Sequence, residues 1–178
     1  MFKVNSCEFN YQYGDQIHFP CRIASMVTYV KTNEKIKNNF KFEKSFVFRT
    51  EVEEYIKECH DTNILLCSCY VWNWEITKHL ASEIKKINPN CTIIFGGAQI
   101  PDLAQDFFKQ HPYVDIIAHG EGEYILENIL TAYLKDKDYS QVKGIETKEF
   151  RNQLQERINE LDNLPSPYLT NTVWDLVE

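Results

Sequence analysis

The sequence predicts an α/β fold built on a doubly wound, five-stranded parallel sheet, and three observations carry that prediction. Apolar segments of strand character alternate five times with stripes of helical period. One segment, residues 63–70 (NILLCSCY), is apolar on both faces, as a central parallel strand covered by helices on each side must be. The fourth and fifth strand candidates each run into a glycine-bearing turn, at Gly96-Gly97 and at Gly120-Glu121-Gly122.

Taken in order, residues 2–9 alternate loosely and form a first strand. Ile23, Met26, Val27 and Val30 follow at i, i+3, i+4, i+7, a helical face. Phe40, Phe42, Phe46 and Phe48 lie at even offsets, which is the period of a strand. Val52, Tyr55, Ile56 and Cys59 return to the helical period. After the central strand, Ile76, Leu80, Ile84 and Ile87 mark a helix that stops before Pro89. Residues 91–95 form the fourth strand. Leu103, Phe107 and Phe108 mark a short helix before Pro112. Residues 114–118 form the fifth strand, and Ile125, Leu126, Ile129, Leu130 and Tyr133 stripe the last clear helix. Right-handed crossovers between such units favour the flavodoxin-like, Rossmann-like strand order 2-1-3-4-5.

Past residue 138 the pattern weakens, so the expected division is an α/β domain over 1–138 and a C-terminal extension over 139–178. Residues 142–147 are a candidate extra strand. Residues 149–160 are polar and read equally as a helix or as an irregular hairpin. Residues 161–169 (LDNLPSPYL) carry two prolines and read as an extended linker.

The chain has 178 residues and a formal net charge of −7, which disfavours a basic nucleic-acid-binding module. No apolar run approaches the ~20 residues of a membrane span, and the expectation is a soluble, cytoplasmic chain with no membrane or nucleic-acid partner. The six cysteines, at 7, 21, 59, 67, 69 and 91, contain neither a C-x2-C pair nor a C-x3-C-x2-C triplet. They read as inert, mostly buried thiols.

In open α/β sheets a ligand binds at the carboxyl ends of the strands. The loops there decide among the clients of the fold. Residues 10–20 hold one glycine beside bulky Tyr11, Tyr13, His18 and Phe19, a poor flavin-phosphate loop. The third strand ends Cys67-Ser68-Cys69-Tyr70, without the acceptor aspartate of a response regulator. G-x-G-x-x-G, G-x-S-x-G and G-x-C-x-G are all absent. What remains is a crevice flanked by two glycine-bearing loops and one aromatic loop. Gly96-Gly97 admits close backbone approach, and reads alternatively as a plain strand-to-turn transition. Glu123, near a helix N-terminus, reads as structural. The segment 68–74 (SCYVWNW) combines three large aromatics with Ser68 and Asn73. It suits a broad, partly apolar ligand with an amide-rich rim, unless Trp72 or Trp74 packs under the following helix.

Four segments in this order, CSCYVWNW (67–74), NPNCTIIFGGAQIP (88–101), HPYVDIIAHGEGE (111–123) and LDNLPSPYL (161–169), resemble the N-terminal cobalamin (B12)-binding domain of B12-binding radical SAM enzymes. One departure is Ala98, where the family usually has Gly-Gly-Pro. The resemblance implies a corrin ring over the carboxyl ends of the strands and a nucleotide tail beside the central strands. Ser68, Tyr70, Trp72 and Asn73 would line ring or tail, Gly96, Gly97 and Gln99 would pass close to the tail, and Gly120, Glu121 and Gly122 would close one wall. Better-known cobalamin domains place a cobalt-ligating histidine in D-x-H-x-x-G. Here His18 has Gln16 before it and Cys21 after it, and His119 has Ile117 before it. Cobalamin bound without a histidine ligand is therefore expected. S-adenosylmethionine and the [4Fe-4S] cluster would belong to a radical SAM barrel in cis, and the present chain is expected to bind the cofactor and catalyse nothing alone. The alternative from a different class is a cobalamin-free scaffold docking such a barrel; a weaker third option is a flavodoxin-like enzyme with another cofactor.

Overall fold

A computed structural model describes residues 1–11, 14, 16 and 18–177; Tyr13 of the 10–20 loop lies outside the described residues. The chain runs β1 (Phe2–Cys7), α1 (Cys21–Val30), α2 (Glu34–Asn39), β2 (Phe40–Phe46), α3 (Val52–Glu58), β3 (Ile64–Ser68), α4 (Trp74–Ile87), β4 (Thr92–Gly96), α5 (Gln105–Gln110), β5 (Ile116–Ala118), α6 (Gly122–Tyr133), β6 (Ile145–Thr147) and α7 (Thr172–Asp175). The sheet order is β2-β1-β3-β4-β5-β6. The first five strands are parallel, in the expected order.

The expected five strands are extended to six, because β6 pairs antiparallel with β5 at the sheet edge. The chain then reverses at once. Thr147 Oγ1 accepts from the N–H groups of Glu149 and Phe150, and Glu146 bridges to Arg151. Of the two readings left open for residues 149–160, the hairpin is the one adopted. A threonine that caps its own turn competes with helix formation there. Residues beyond 138 also enter the core, since Val173 and Leu176 are fully buried and the Ser45 N–H donates to the Leu176 carbonyl. Helix α2 was not anticipated. It is a short element with a side-chain cap, Asn33 Oδ1 accepting from the Lys35 N–H.

Alternation along the strands splits the core in two. On one face Val4, Ile64, Leu66, Ile94 and Ile116 pack against α1 and α6. On the other Leu65, Cys67, Ile93, Phe95 and Ile117 pack against α3, α4 and α5. Strand β3 is buried at every position, as its doubly apolar sequence requires. Cys7, Cys59, Cys67, Cys69 and Cys91 are buried and all six thiols are free. Burial pushes Cys59 and Cys91 up to about 12, far from thiolate chemistry. No helix among the described residues is long and apolar enough to cross a membrane.

Candidate functional site

The site begins with a row of small residues. Register places Ser68, the last residue of β3, beside Gly96, the last of β4, and Gly96 beside Ala118, the last of β5. One row deeper on the same face stand Leu66, Ile94 and Ile116. Three adjacent strands therefore each exchange a bulky side chain for a small one at the carboxyl end. The sheet surface drops there, leaving a cleft of about 430 Å³ between it and helices α1 and α6. Ile23, Met26, Leu126 and Ile129 make its walls mostly apolar. At Gly96 a Cβ would meet only Ala118, at 3.7–3.8 Å, so a larger side chain would grow into the cleft. None of the three tryptophans lines it.

The β4–α5 turn is built around Gly97. Its φ is +109°, and a Cβ there would stand 2.5 Å from the Cys69 carbonyl oxygen. Only glycine combines that backbone conformation with that approach. The two turns are then stitched together: the Cys69 N–H donates to the Gly96 carbonyl (2.7 Å) and the Gln99 N–H to the Cys69 carbonyl (3.1 Å).

The aromatic loop is held by Asn73, which is fully buried. Its Oδ1 accepts from the Tyr70 N–H (2.8 Å), and its Nδ2 donates to the carbonyls of Ser68 (2.8 Å) and Phe9 (3.2 Å). With both amide protons used, Asn73 shapes the loop from beneath. Tyr70 and Trp72 stack at 4.8 Å on the cleft side. Trp74 turns to the other face, against Phe95 and Phe107.

Helix α1 supplies one wall. It follows Pro20, which offers no side-chain cap. The cap comes instead from the residue that follows β1. Buried Glu8 accepts from the Ile23 N–H at 3.2 Å and from Arg22 Nη1 at 2.9 Å. Burial pushes its carboxyl above the usual value, while the Ile23 N–H and Arg22 pull it back. The guanidinium of Arg22 lies 4.1 Å over the Tyr70 ring. Helix α6 supplies the opposite wall, entered through Gly120 and Gly122. Glu123 crosses to α1 by accepting from Ser25 Oγ at 2.7 Å. Glu121 faces away, accepting from the Ile158 N–H at 2.6 Å.

Of the residues singled out from sequence, the structure gathers Ser68, Tyr70, Gly96, Gly97, Gly120 and Gly122 around one cleft. Trp72 backs Tyr70 and lines a shallower groove beside it with Arg22 and Glu8. Asn73, Gln99 and Glu121 are not among the cleft-lining residues; each secures a loop from outside it. The sequence reading missed Arg22, Ser25, Met26, Glu8 and Ala118. Only Ala118 left a signal, as the third small residue ending a buried strand.

His18 is exposed, and His119 is largely buried outside the cleft lining. Its Nε2 faces Glu146 Oε2 at 3.6 Å, and neither atom has a hydrogen-bond partner. Burial, with Arg151 adding to it, lowers its proton affinity, against the pull of Glu146. No group of three or more metal-ligating side chains occurs among the described residues.

Comparison with known proteins meets this geometry. A family model described as "B12 binding domain" matches residues 39–130. The chain is 33% identical over 147 residues to the cobalamin-dependent radical SAM methyltransferase TokK of Streptomyces tokunonensis, covering 80% of this chain and 22% of that protein. It is equally similar, over the same shares, to 2-(S-pantetheinyl)-carbapenam-3-carboxylate methyltransferase of Streptantibioticus cattleyicolor. The chain thus spans about a fifth of the length of these curated relatives. Among solved structures, the radical S-adenosylmethionine methyltransferase TsrM of Kitasatospora setae superposes with a TM-score of 0.58 at 14% identity, over 85% of this chain and 30% of that one, a likeness of fold. Matched over just over half of its length, from α2 to within α6, the chain belongs to the B12-binding domain family.

Proposed function

We propose that this chain binds cobalamin at the carboxyl ends of its strands, as the cofactor-carrying domain of a radical SAM methyltransferase whose barrel lies in cis. The observation that carries the reading is the stepped floor Ser68-Gly96-Ala118 over Leu66-Ile94-Ile116. It creates an apolar slot between sheet and helices that opens beside a flat aromatic stack. An apolar slot suits the aromatic base of the nucleotide tail, and a rim of glycines beside the Ser68 hydroxyl suits the amide-bearing edge of a corrin. Leu66, Ile94, Leu126 and Ile129 would hold the base. Ser68, Gly96, Gly97, Gly120 and Gly122 would border the tail where it leaves the slot, and Tyr70 and Trp72 would stand at the ring. Asn73, Gln99 and Glu121 would keep these loops in place.

When bound, cobalamin supplies a cobalt centre able to carry and release a methyl group. This chain's residues bind and orient it and keep water from the slot. The spacing around His18 and His119 supports binding without a histidine ligand from this chain. S-adenosylmethionine and the iron–sulfur cluster would be held by the barrel, consistent with the cysteine spacing here. A cytoplasmic location fits the free thiols.

The test is direct. Purified chain is mixed with hydroxocobalamin, desalted and scanned for the corrin absorbance. Stoichiometric retention is expected. Colour eluting wholly with the small-molecule fraction would sink the reading and leave a cobalamin-free scaffold.

A further inference from the structure

The mouth of the cleft carries charges that an apolar slot does not need. Among the described residues lining it, Arg22 on α1 is the one cation and Glu123 on α6 the one carboxylate. Glu123 is engaged by Ser25. Arg22 is fixed on two sides: Nη1 donates to Glu8, and the guanidinium face lies on Tyr70, itself stacked on Trp72. Glu8 cannot swing away, because its other oxygen accepts from the Ile23 N–H and the side chain is 1% exposed. Apart from Nη1, the guanidinium N–H groups of Arg22 have no hydrogen-bond partner among the described residues, and its side chain is 47% exposed. Capping α1 requires only the Ile23 contact; it does not require an arginine held flat over a tyrosine. A guanidinium immobilised by stacking, with a free N–H edge at the mouth of a cleft, is arranged for bidentate recognition of an oxyanion.

Resting on the cobalamin reading above, we propose that Arg22 recognises the phosphodiester of the nucleotide loop and that Glu8 is the positioning residue that presents it. The covalent order of the cofactor supports this. The phosphodiester lies between the base and the ring. A base buried against Leu66 and Ile94 puts the phosphate at the mouth.

The test compares two corrinoids, hydroxocobalamin and cobinamide, which lacks the nucleotide loop. Affinities are measured by absorbance titration on the full chain and on Arg22→Gln, Arg22→Lys, Glu8→Gln and the double variant Glu8→Gln/Arg22→Gln. Arg22→Gln is expected to weaken hydroxocobalamin about tenfold, the scale of one charge-assisted contact, and to leave cobinamide unchanged. Arg22→Lys keeps the charge but not the fork and recovers part of the loss. Glu8→Gln retains a carbonyl oxygen to cap α1, yet weakens hydroxocobalamin several-fold. That loss disappears in the Arg22→Gln background, whereas a purely structural role would add to it. Thermal melts identify any variant that does not fold; Arg22→Lys and Glu8→Gln carry the test if Arg22→Gln is one. Equal losses for both corrinoids, or unchanged hydroxocobalamin affinity, overturn the proposal and leave the cobalamin reading standing. A wild-type chain that binds neither corrinoid overturns both.

Discussion

The two faces of the sheet end differently at the carboxyl side. On the α1/α6 face the last side chains of β3, β4 and β5 are Ser68, none at Gly96, and Ala118. On the α3/α4/α5 face the corresponding positions are Cys67, Phe95 and Ile117, and Trp74 lies edge-on to Phe95 with Phe107 alongside. The same strands thus build a filled face and an open one. The difference teaches that the site is made by subtraction: the backbone is common to both faces, and side-chain volume alone decides which one can admit a ligand.

The largest break in that comparison comes from the filled face. Phe95→Ala should cost about 3–5 kcal/mol of stability, the usual toll of a buried aromatic cavity. Urea unfolding would measure it, and a loss below about 1 kcal/mol would mean that this face is not close-packed. The converse change is Gly96→Leu on the open face. Its backbone is not in the left-handed region and its Cβ would meet only ordinary contacts, so stability should move by no more than ~1 kcal/mol. Cobalamin affinity should fall on the order of 100-fold, about 2.7 kcal/mol. Undiminished corrin retention by that variant would place the ligand elsewhere. Asn73→Ala is intermediate. It removes three hydrogen bonds beneath the aromatic loop and should cost roughly 2–3 kcal/mol. It should also loosen the Tyr70–Trp72 stack, visible as a red-shifted tryptophan emission.

The smallest expected effect concerns the sheet edge, at His119. Burial lowers its proton affinity in the folded chain. Below the ordinary histidine value of 6.5 the unfolded chain is then the better proton binder. Stability from this group is present above that value and is lost as pH falls, until the folded ring itself titrates. His119→Gln should flatten the decline of the urea midpoint between about pH 7 and 5. It should not abolish it, since burial also lowers His111. An unchanged slope would show that His119 titrates normally.

Most of the scaffold was legible in the residues. The period of Ile23, Met26, Val27 and Val30 is a helix in any globular context, and 64–68 could only be a central strand. The site was legible in part. Gly96 and Gly97 announce close approach, though Gly97 faces a protein carbonyl as well as the cleft. Asn73 and Glu121 have the composition of ligand contacts, and the fold uses their side chains as loop ties, while Gln99 ties its turn through its backbone N–H. An amide or carboxylate bonds whatever donor or acceptor is nearest, and sequence does not say which that is. Glu8 and Arg22 went unread for the same reason. They are 14 residues apart, and nothing in either neighbourhood announces the other.

By itself, then, the sequence determined the alternation of strand and helix, the order of the parallel strands and the edge of the sheet where the cleft opens. These follow from local periodicity and from the handedness of crossovers, which act over a few residues at a time. Tertiary structure alone decided which face stays open, which polar side chains look inward, and that a buried carboxylate just past β1 caps α1 and clamps an arginine at the cleft mouth. Those outcomes depend on register between strands and on volumes meeting across distances that no single stretch of chain encodes.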